Sequence, residues 1–242
     1  MWNRKDLKAK GKAAFRANYW PSVVVALIIV AIFGGGFATV GNSASDATAE
    51  QTAAIEQELE GIPPEALLTI LLAVFGVILL ASVVTALVSA FLFNPLRVGC
   101  VRFFTVNSDA PARLSELGHG YKSNYLNSVL TLLLKDIFIG LWSLLFVIPG
   151  LVKAYSYRLT PYILAENPSL SSTEAITLSR KMMNGQKWRA FVLDLSFLGW
   201  DILAGLTLGV VGIFYSFPYV CATDAELYKA IRDSYQETAE AL

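Results

Sequence analysis

Residues 66–94 read ALLTILLAVFGVILLASVVTALVSAFLFN, a stretch without one charged side chain. A helix needs about 20 mostly apolar residues to cross the ~30 Å hydrocarbon core of a bilayer. The stretch exceeds that length, and the composition agrees with it: 55% of the residues are hydrophobic, 16% are charged, and the mean hydropathy is +0.54. The sequence therefore predicts an all-α, polytopic integral membrane protein, with the lipid bilayer as its partner.

Three further apolar stretches occupy residues 21–40, 127–165 and 190–220. The first follows a basic segment, as in a signal peptide, but its length favours an uncleaved span. The other two are interrupted by Ile148-Pro149-Gly150 and by Gly209-Val210-Val211-Gly212, which are helix-breaking signals. Each interrupted stretch is predicted to form a helical hairpin that turns at its break.

The return arms of these two hairpins are short. From Gly150 and Gly212 they reach Pro161 and Pro218 within about a dozen residues, or at most ~17 Å of helix. They cross the membrane only if a kinked helix continues through the proline. Otherwise both hairpins are re-entrant, and the number of full crossings falls to two or four.

The placement of charge predicts the topology, because Lys and Arg concentrate on the cytoplasmic side of membrane segments. Residues 41–65 carry only acidic charges, whereas 95–126 and 166–189 are rich in Lys and Arg. Six spans, arranged as three hairpins with both termini cytoplasmic, place the acidic loop outside the cell and both basic segments inside. The predicted order is a cytoplasmic amphipathic helix (1–20), hairpin 1 (21–94) with an acidic outer loop (41–65), a cytoplasmic segment (95–126), hairpin 2 (127–165), a cytoplasmic amphipathic helix (166–189), hairpin 3 (190–220) and a cytoplasmic C-terminal helix (221–242).

Short matches recur where the hairpins begin and end. Asn18-Tyr19 corresponds to Asn124-Tyr125, and a weaker match stands at 186–189. At the exits, an aromatic residue stands four positions before a proline three times: Phe91 with Pro95, Tyr157 with Pro161, and Phe214 with Pro218. We interpret these matches as three repeated hairpin units.

Besides the helix at 1–20, two amphipathic helices are predicted outside the hairpins. Ser171 and Glu174 have the spacing of a capping box, so a helix begins there. In the C-terminal helix, an apolar stripe is either interfacial or packed against the 171–184 helix. The stripe is also a candidate docking surface for a protein partner. Its members are Leu227, Tyr228, Ile231 and Tyr235.

Ionisable residues inside the apolar stretches are the candidate functional site. A charge facing lipid costs roughly 2.5–3.5 kcal/mol, so such residues pair, face the protein interior or reach an interface. Asp194 and Asp201, seven residues apart, are predicted to share one helix face opposite Lys135 or Lys153, and Asp136 needs a separate partner. The face is either an interhelical ion pair that sets packing or a polar path between hairpins. Arg158 is predicted to reach lipid phosphates.

A series of short motifs runs from the second hairpin to the C-terminal helix. It includes Asn124-Tyr125, Ile148-Pro149-Gly150, Tyr155-Ser156-Tyr157, Pro161-Tyr162-Ile163-Leu164, Asn167-Pro168, Glu174-Ala175-Ile176, Ser179-Arg180-Lys181, the run from Phe191 to Trp200, Pro218-Tyr219 and Thr223. In these motifs the chain resembles the DUF975 family of bacterial membrane proteins, from Leu7 to the C-terminal helix and most densely over 145–228. The long acidic loop at 41–65 departs from the resemblance. The family's name records an unknown function, so the resemblance implies no catalytic residue.

Enzyme motifs are missing from the sequence. It has no Gly-rich phosphate loop and no nucleophile elbow, and its single histidine, His119, cannot build a His-based metal site. Nor does its zero net charge suit a nucleic-acid partner. We therefore predict no catalytic residue, metal or cofactor.

Two hypotheses for function follow. The first is a non-enzymatic, multi-pass protein of the bacterial cell membrane in transport, export or envelope maintenance. The alternative is a membrane scaffold or partner-binding subunit that acts through its cytoplasmic helices. A third possibility, an intramembrane enzyme, would need a nucleophile or a metal cluster, which the sequence does not show. The sequence also does not identify a protein partner or a substrate.

Overall fold

The computed structural model describes residues 2–33 and 63–240, and all regular structure in those two ranges is helical. The all-α prediction is therefore confirmed for the described part. The predicted acidic loop lies, up to residue 62, outside the described residues. The chain divides into two compact units, residues 31–89 and the remainder, 1–30 with 90–242, which we call the helical body.

The first two helices, α1 (Arg4–Ala17) and α2 (Tyr19–Phe33), meet at a bend of 108°. Leu7, Gly11 and Phe15 recur every four residues and form the buried face of α1, as its amphipathic pattern predicts. The bend is fixed at Asn18, whose side-chain amide donates to Asn107 Oδ1 (2.7 Å) and to the Ala112 carbonyl (2.9 Å). An amphipathic helix thus leads directly into an apolar one.

The uncharged stretch at 66–94 is helical. Helix α3 (Pro64–Val88) begins with a proline in its first turn, where the missing N–H costs nothing. It is followed by a π-helical turn (Ser89–Phe93) and by α4 (Asn94–Asn107), which is amphipathic and buries Val98 and Phe103. A 3-10 turn (Leu114–Gly118) and the short α5 (His119–Lys122) follow.

The second hairpin turns earlier than predicted. Its arms are α6 (Tyr125–Leu145) and α7 (Val147–Ser156), and the chain reverses at Phe146, which has an extended backbone (φ −157°, ψ 144°). Pro149 lies in the first turn of α7, where a helix tolerates proline. Gly150 is required for packing rather than for the turn, because a Cβ there would lie 2.1 Å from Ser143 Oγ on α6.

Four short helices follow α7. They are α8 (Thr160–Glu166), α9 (Ser172–Met182), α10 (Lys187–Leu195) and α11 (Leu198–Leu206). The predicted capping box is present at the start of α9: the Ser171 hydroxyl accepts from the Glu174 N–H, and the Glu174 carboxylate accepts from the Ser171 N–H. The Ser171 hydroxyl also donates to the Glu174 carboxylate (2.7 Å), and this bond together with the one from the Ser171 N–H holds the pKa of Glu174 below its usual value.

The third hairpin turns at the predicted break, where Leu208 (φ 51°) and Gly209 (φ 87°) adopt left-handed conformations. A π-helical turn (Gly212–Ser216) then leads into the last helix, α12 (Phe217–Glu240). Helix α12 packs along α1, and the two approach closely because Gly11 faces Thr223. The first and last helices of the body are therefore neighbours.

The six-span topology is not confirmed. Two helical segments in the described residues are long and apolar enough to cross a membrane, Glu65–Asn107 and Tyr125–Leu145. The count rises to three if α1 and α2 are taken together as one broken span. The first arm of the third hairpin is divided into α10 and α11, which at nine residues each are too short to cross a membrane. The returning helix, α12, is long enough but carries too many charged residues.

Candidate functional site

Asp194 belongs to a cluster of charges that joins three parts of the body. Its carboxylate accepts from Arg158 Nη1 (2.7 Å) and Nη2 (2.9 Å), and from the Tyr155 hydroxyl (2.7 Å). Arg158 Nη2 also donates to Asp224 Oδ1 at 2.7 Å. We call these four residues the Arg158 cluster. It links the end of α7 to α10 and α12.

The bidentate geometry explains why arginine occupies this position. The planar guanidinium matches a carboxylate with two parallel hydrogen bonds, which a lysine ammonium cannot do. The Asp224 pair is the better shielded of the two, since the side chains of Arg158 and Asp224 are 19% and 24% exposed, whereas that of Asp194 is 36% exposed. The prediction that Arg158 reaches lipid phosphates is wrong, because its guanidinium is paired with Asp194 and Asp224 within the chain.

The other predicted polar residues do not join Asp194. Asp201 is exposed and lies on α11, separated from Asp194 by the break at Ser196-Phe197, so the seven-residue spacing does not run along one helix. Lys135 is buried and pairs with the neighbouring Asp136 at 2.7 Å. Lys153 lies over the Trp142 ring, with Nζ 4.6 Å from the ring centroid. The predicted pairing of Asp194 and Asp201 with these lysines is therefore wrong.

The candidate partner stripe on α12 is covered within the chain. Leu227, Tyr228 and Ile231 are buried, and Tyr235 packs partly buried against the core. The Tyr228 hydroxyl donates to Glu166 Oε2 (2.7 Å), and this bond together with burial raises the pKa of Tyr228. These residues are core and do not form an exposed docking surface, because α12 packs inside the body.

At two hairpin exits, a tyrosine from a hairpin entrance donates a hydrogen bond to a backbone carbonyl that the exit proline leaves without a donor. Proline has no N–H, so Pro95 and Pro218 leave the carbonyls of Phe91 and Phe214 without their helical donors. The Tyr125 hydroxyl donates to the Phe91 carbonyl (2.8 Å), and the Tyr19 hydroxyl donates to the Phe214 carbonyl (2.9 Å). At the third exit, the Tyr157 carbonyl instead accepts from the Thr160 N–H at 3.2 Å.

Removal of these two hydroxyls is expected to loosen the body. Tyr19→Phe and Tyr125→Phe should each lower the free energy of unfolding by about 1 kcal/mol, a typical cost for one lost side-chain hydrogen bond in a membrane protein. The measurement is thermal unfolding in detergent micelles. The matched control is Tyr235→Phe, whose hydroxyl has no hydrogen bond within the described ranges. Equal midpoints for all three variants would contradict the assignment.

Sequence reasoning missed the central role of Arg158 and the partners of the two tyrosines. For the tyrosines a signal existed, since each exit proline leaves a carbonyl four residues earlier in need of a donor. Nothing in the sequence indicates which tyrosine supplies it. Within the described ranges, 2–33 and 63–240, no group of three or more His, Cys, Asp or Glu side chains is placed to hold a metal ion.

Residues 144–235 match the family model DUF975, described as a protein of unknown function. The match supports the DUF975 family for this part of the chain, which includes every member of the Arg158 cluster and runs from the end of α6 into α12. No curated protein and no solved structure matches the chain.

Proposed function

We propose that this protein is a non-enzymatic membrane scaffold, whose helical body is held at the cytoplasmic face of the bacterial cell membrane. Two half-length apolar hairpins insert from that face, and both termini are cytoplasmic. The full crossings are the apolar stretch that the sequence predicts at 21–40 and helix α3 (Pro64–Val88). The observation that carries the proposal is the length of the apolar hairpin arms relative to a bilayer.

The second hairpin has the length expected for insertion about halfway into the bilayer. The first half of α6 is built into the body, where Val129, Leu132 and Lys135 are buried. Leu126 and Leu130 in this first half are exposed, but Lys135 is the last buried residue of α6. Residues 137–145 therefore extend beyond the body, and Leu144 at the tip is 87% exposed. Nine residues of α6 and ten of α7 extend about 14–15 Å, roughly half of the ~30 Å hydrocarbon core.

The third hairpin has the same reach. Helix α11 has nine residues, which gives about 14 Å. Its tip is apolar, and Leu208 is 96% exposed. Exposure of such a side chain to water instead of lipid is unfavourable, by about 25 cal/mol for each Å² of apolar surface. Both tips are therefore suited to the centre of the bilayer.

The position of the charges favours a scaffold over transport. Arg158 follows α7 by two residues, and Asp194 lies on α10, just before α11. Their ion pair thus ties the bases of the two hairpins together, below the inserted tips. A polar path would need a row of free ionisable groups along the arms. Lys153 is stacked on Trp142 and Asp194 is held by Arg158 and Tyr155, which leaves the exposed Asp201, in the first turn of α11.

Hairpin depth can be tested by labelling single cysteines in intact cells. In a Cys100→Ala/Cys221→Ala background, we expect Val147→Cys and Leu208→Cys to resist a membrane-impermeant maleimide both before and after permeabilisation, because the tips lie in lipid. Asn184→Cys, an exposed site between α9 and α10, should react only after permeabilisation. Ser45→Cys, in the predicted outer loop, should react in intact cells.

The opposite pattern would contradict the proposal. If Val147→Cys and Leu208→Cys react from outside intact cells, the hairpins cross the whole membrane and the six-span arrangement is correct. If they react only after permeabilisation, the tips lie in water on the cytoplasmic side. Reaction of Asn184→Cys in intact cells would reverse the assigned orientation.

A further inference from the structure

A long apolar groove lies between α7 and α10. It encloses about 340 Å³ and is lined by Leu151, Val152 and Tyr155 from α7 and by Trp188 and Phe191 from α10. One cation, Lys187, also lines it. The groove is continuous with the exposed tip of hairpin 2 through Ile148, which is 75% exposed. Its walls have the character of an acyl-chain site.

A second cavity, of about 370 Å³, adjoins the groove and shares Trp188 with it. Its lining is basic and aromatic, with Arg4 and Trp2 from the N-terminal segment and Arg189 from α10. The Arg189 guanidinium lies 4.3 Å from the Trp2 ring centroid, and its Nη2 donates to the Trp2 carbonyl. Its Nη1 is buried and has no hydrogen-bond partner in the described part of the chain.

The unpartnered Nη1 points to a missing acceptor. A buried guanidinium N–H without a partner carries a desolvation cost that an anionic oxygen would remove. Arg4 and Lys187 add positive charge at the same place, and no Asp or Glu is among the described residues that line either cavity. Trp188 stands between the two cavities and is 72% exposed, as is usual for a tryptophan at a membrane interface.

We propose that the two cavities together bind one anionic phospholipid. Its phosphate contacts Arg189, with Arg4 and Lys187 nearby, and one acyl chain lies in the groove between α7 and α10. This lipid site rests on the membrane association proposed above. It goes beyond that proposal, because insertion of the hairpin tips into lipid does not by itself require one specifically bound lipid. It also assigns a role to Arg189, which lies outside the Arg158 cluster.

Native mass spectrometry of the full chain, released from detergent micelles, tests this site. Titration with dioleoyl phosphatidylglycerol should give a one-to-one complex, bound about tenfold more tightly than dioleoyl phosphatidylcholine. Lys187→Gln/Arg189→Gln should weaken the phosphatidylglycerol complex by about tenfold or more, because the charge-assisted hydrogen bonds are lost. The matched control is Arg180→Gln/Lys181→Gln, which removes the same charge from an exposed pair on α9.

A second variant tests the groove without touching the charges. Val152→Phe fills the space between α7 and α10 and should weaken phosphatidylglycerol binding to a similar extent. Because Val152 is partly exposed, this variant keeps the test decisive if the Arg189 substitution prevents folding. Circular dichroism and the thermal midpoint verify the fold of each variant.

Four results would overturn the lipid site. They are equal binding by Val152→Phe and the parent, equal losses in the Arg180→Gln/Lys181→Gln control, equal affinity for phosphatidylcholine, and displacement of the lipid by inorganic phosphate alone. The assay is made in detergent and does not depend on hairpin depth. Failure here is therefore distinguishable from failure of the scaffold proposal, which the labelling of Val147→Cys and Leu208→Cys reports.

Discussion

Arg158→Met is expected to lower the free energy of unfolding by about 2–4 kcal/mol, because it leaves the carboxylates of Asp194 and Asp224 without their cation. For a protein of this size, that loss corresponds to a fall in thermal midpoint of roughly 5–15 °C. Methionine matches the length of the arginine stem, so packing changes little. The measurement is thermal unfolding of the purified protein in detergent micelles.

Two controls separate the ion pair from the general loss of a cation. Arg180→Met removes an exposed arginine from α9 and should leave the midpoint within the range of ordinary surface substitutions, about ±0.5 kcal/mol. Arg158→Met/Asp194→Leu/Asp224→Leu removes both orphaned carboxylates and should recover most of the lost stability. A midpoint for Arg158→Met equal to that of Arg180→Met would show that the cluster does not hold the hairpin bases together.

Gly99→Ala is expected to destabilise the body by about 2–4 kcal/mol, the upper range for overpacking. A Cβ at this position would lie 2.0 Å from the carbonyl oxygen of Leu117, in the 3-10 turn packed on α4. The contact is reciprocal, since a Cβ on Gly120 would lie 2.0 Å from the Pro95 carbonyl oxygen. Backbone meets backbone at both points, so no side-chain rotation relieves the clash.

The control for this prediction is Gly140→Ala in α6. Gly140 also lies within a helix, but a Cβ there meets nothing within 4 Å. Alanine is the better helix former by up to about 1 kcal/mol, so Gly140→Ala should be neutral or stabilising. Thermal midpoints in micelles should therefore move in opposite directions for the two variants. A stable Gly99→Ala protein would mean that α4 and the 114–122 segment are not in direct contact.

Local patterns of the sequence predicted local structure well. The capping box at Ser171 and Glu174 is present, and so is the helix with Leu7 and Phe15 on its buried face. These features depend on residues three to eight positions apart, whose geometry a helix sets by itself. The turn of hairpin 2 was placed at Pro149-Gly150 instead of Phe146, because proline permits both a helix break and a first helical turn.

The candidate site was predicted only in part. Asp194 was correctly singled out as an ionisable residue that needs a partner, but its partner is Arg158 and not a lysine. The error arose because the distance between Arg158 and Asp194 depends on how α7 and α10 pack. Similarly, the stripe of Tyr228 and Ile231 predicted an apolar face correctly, but not that this face is covered within the chain.

By itself, the sequence determined that the chain is helical, that several of its segments are apolar enough for lipid, and where its amphipathic helices lie. Composition and short-range periodicity carry that information, because helix formation and transfer into lipid depend on each segment alone. Only the tertiary structure decided that Arg158 joins Asp194 to Asp224, and that the hydroxyls of Tyr19 and Tyr125 donate to the carbonyls of Phe214 and Phe91. These properties arise from contacts between residues far apart in the chain, and their geometry exists only once the helices have packed.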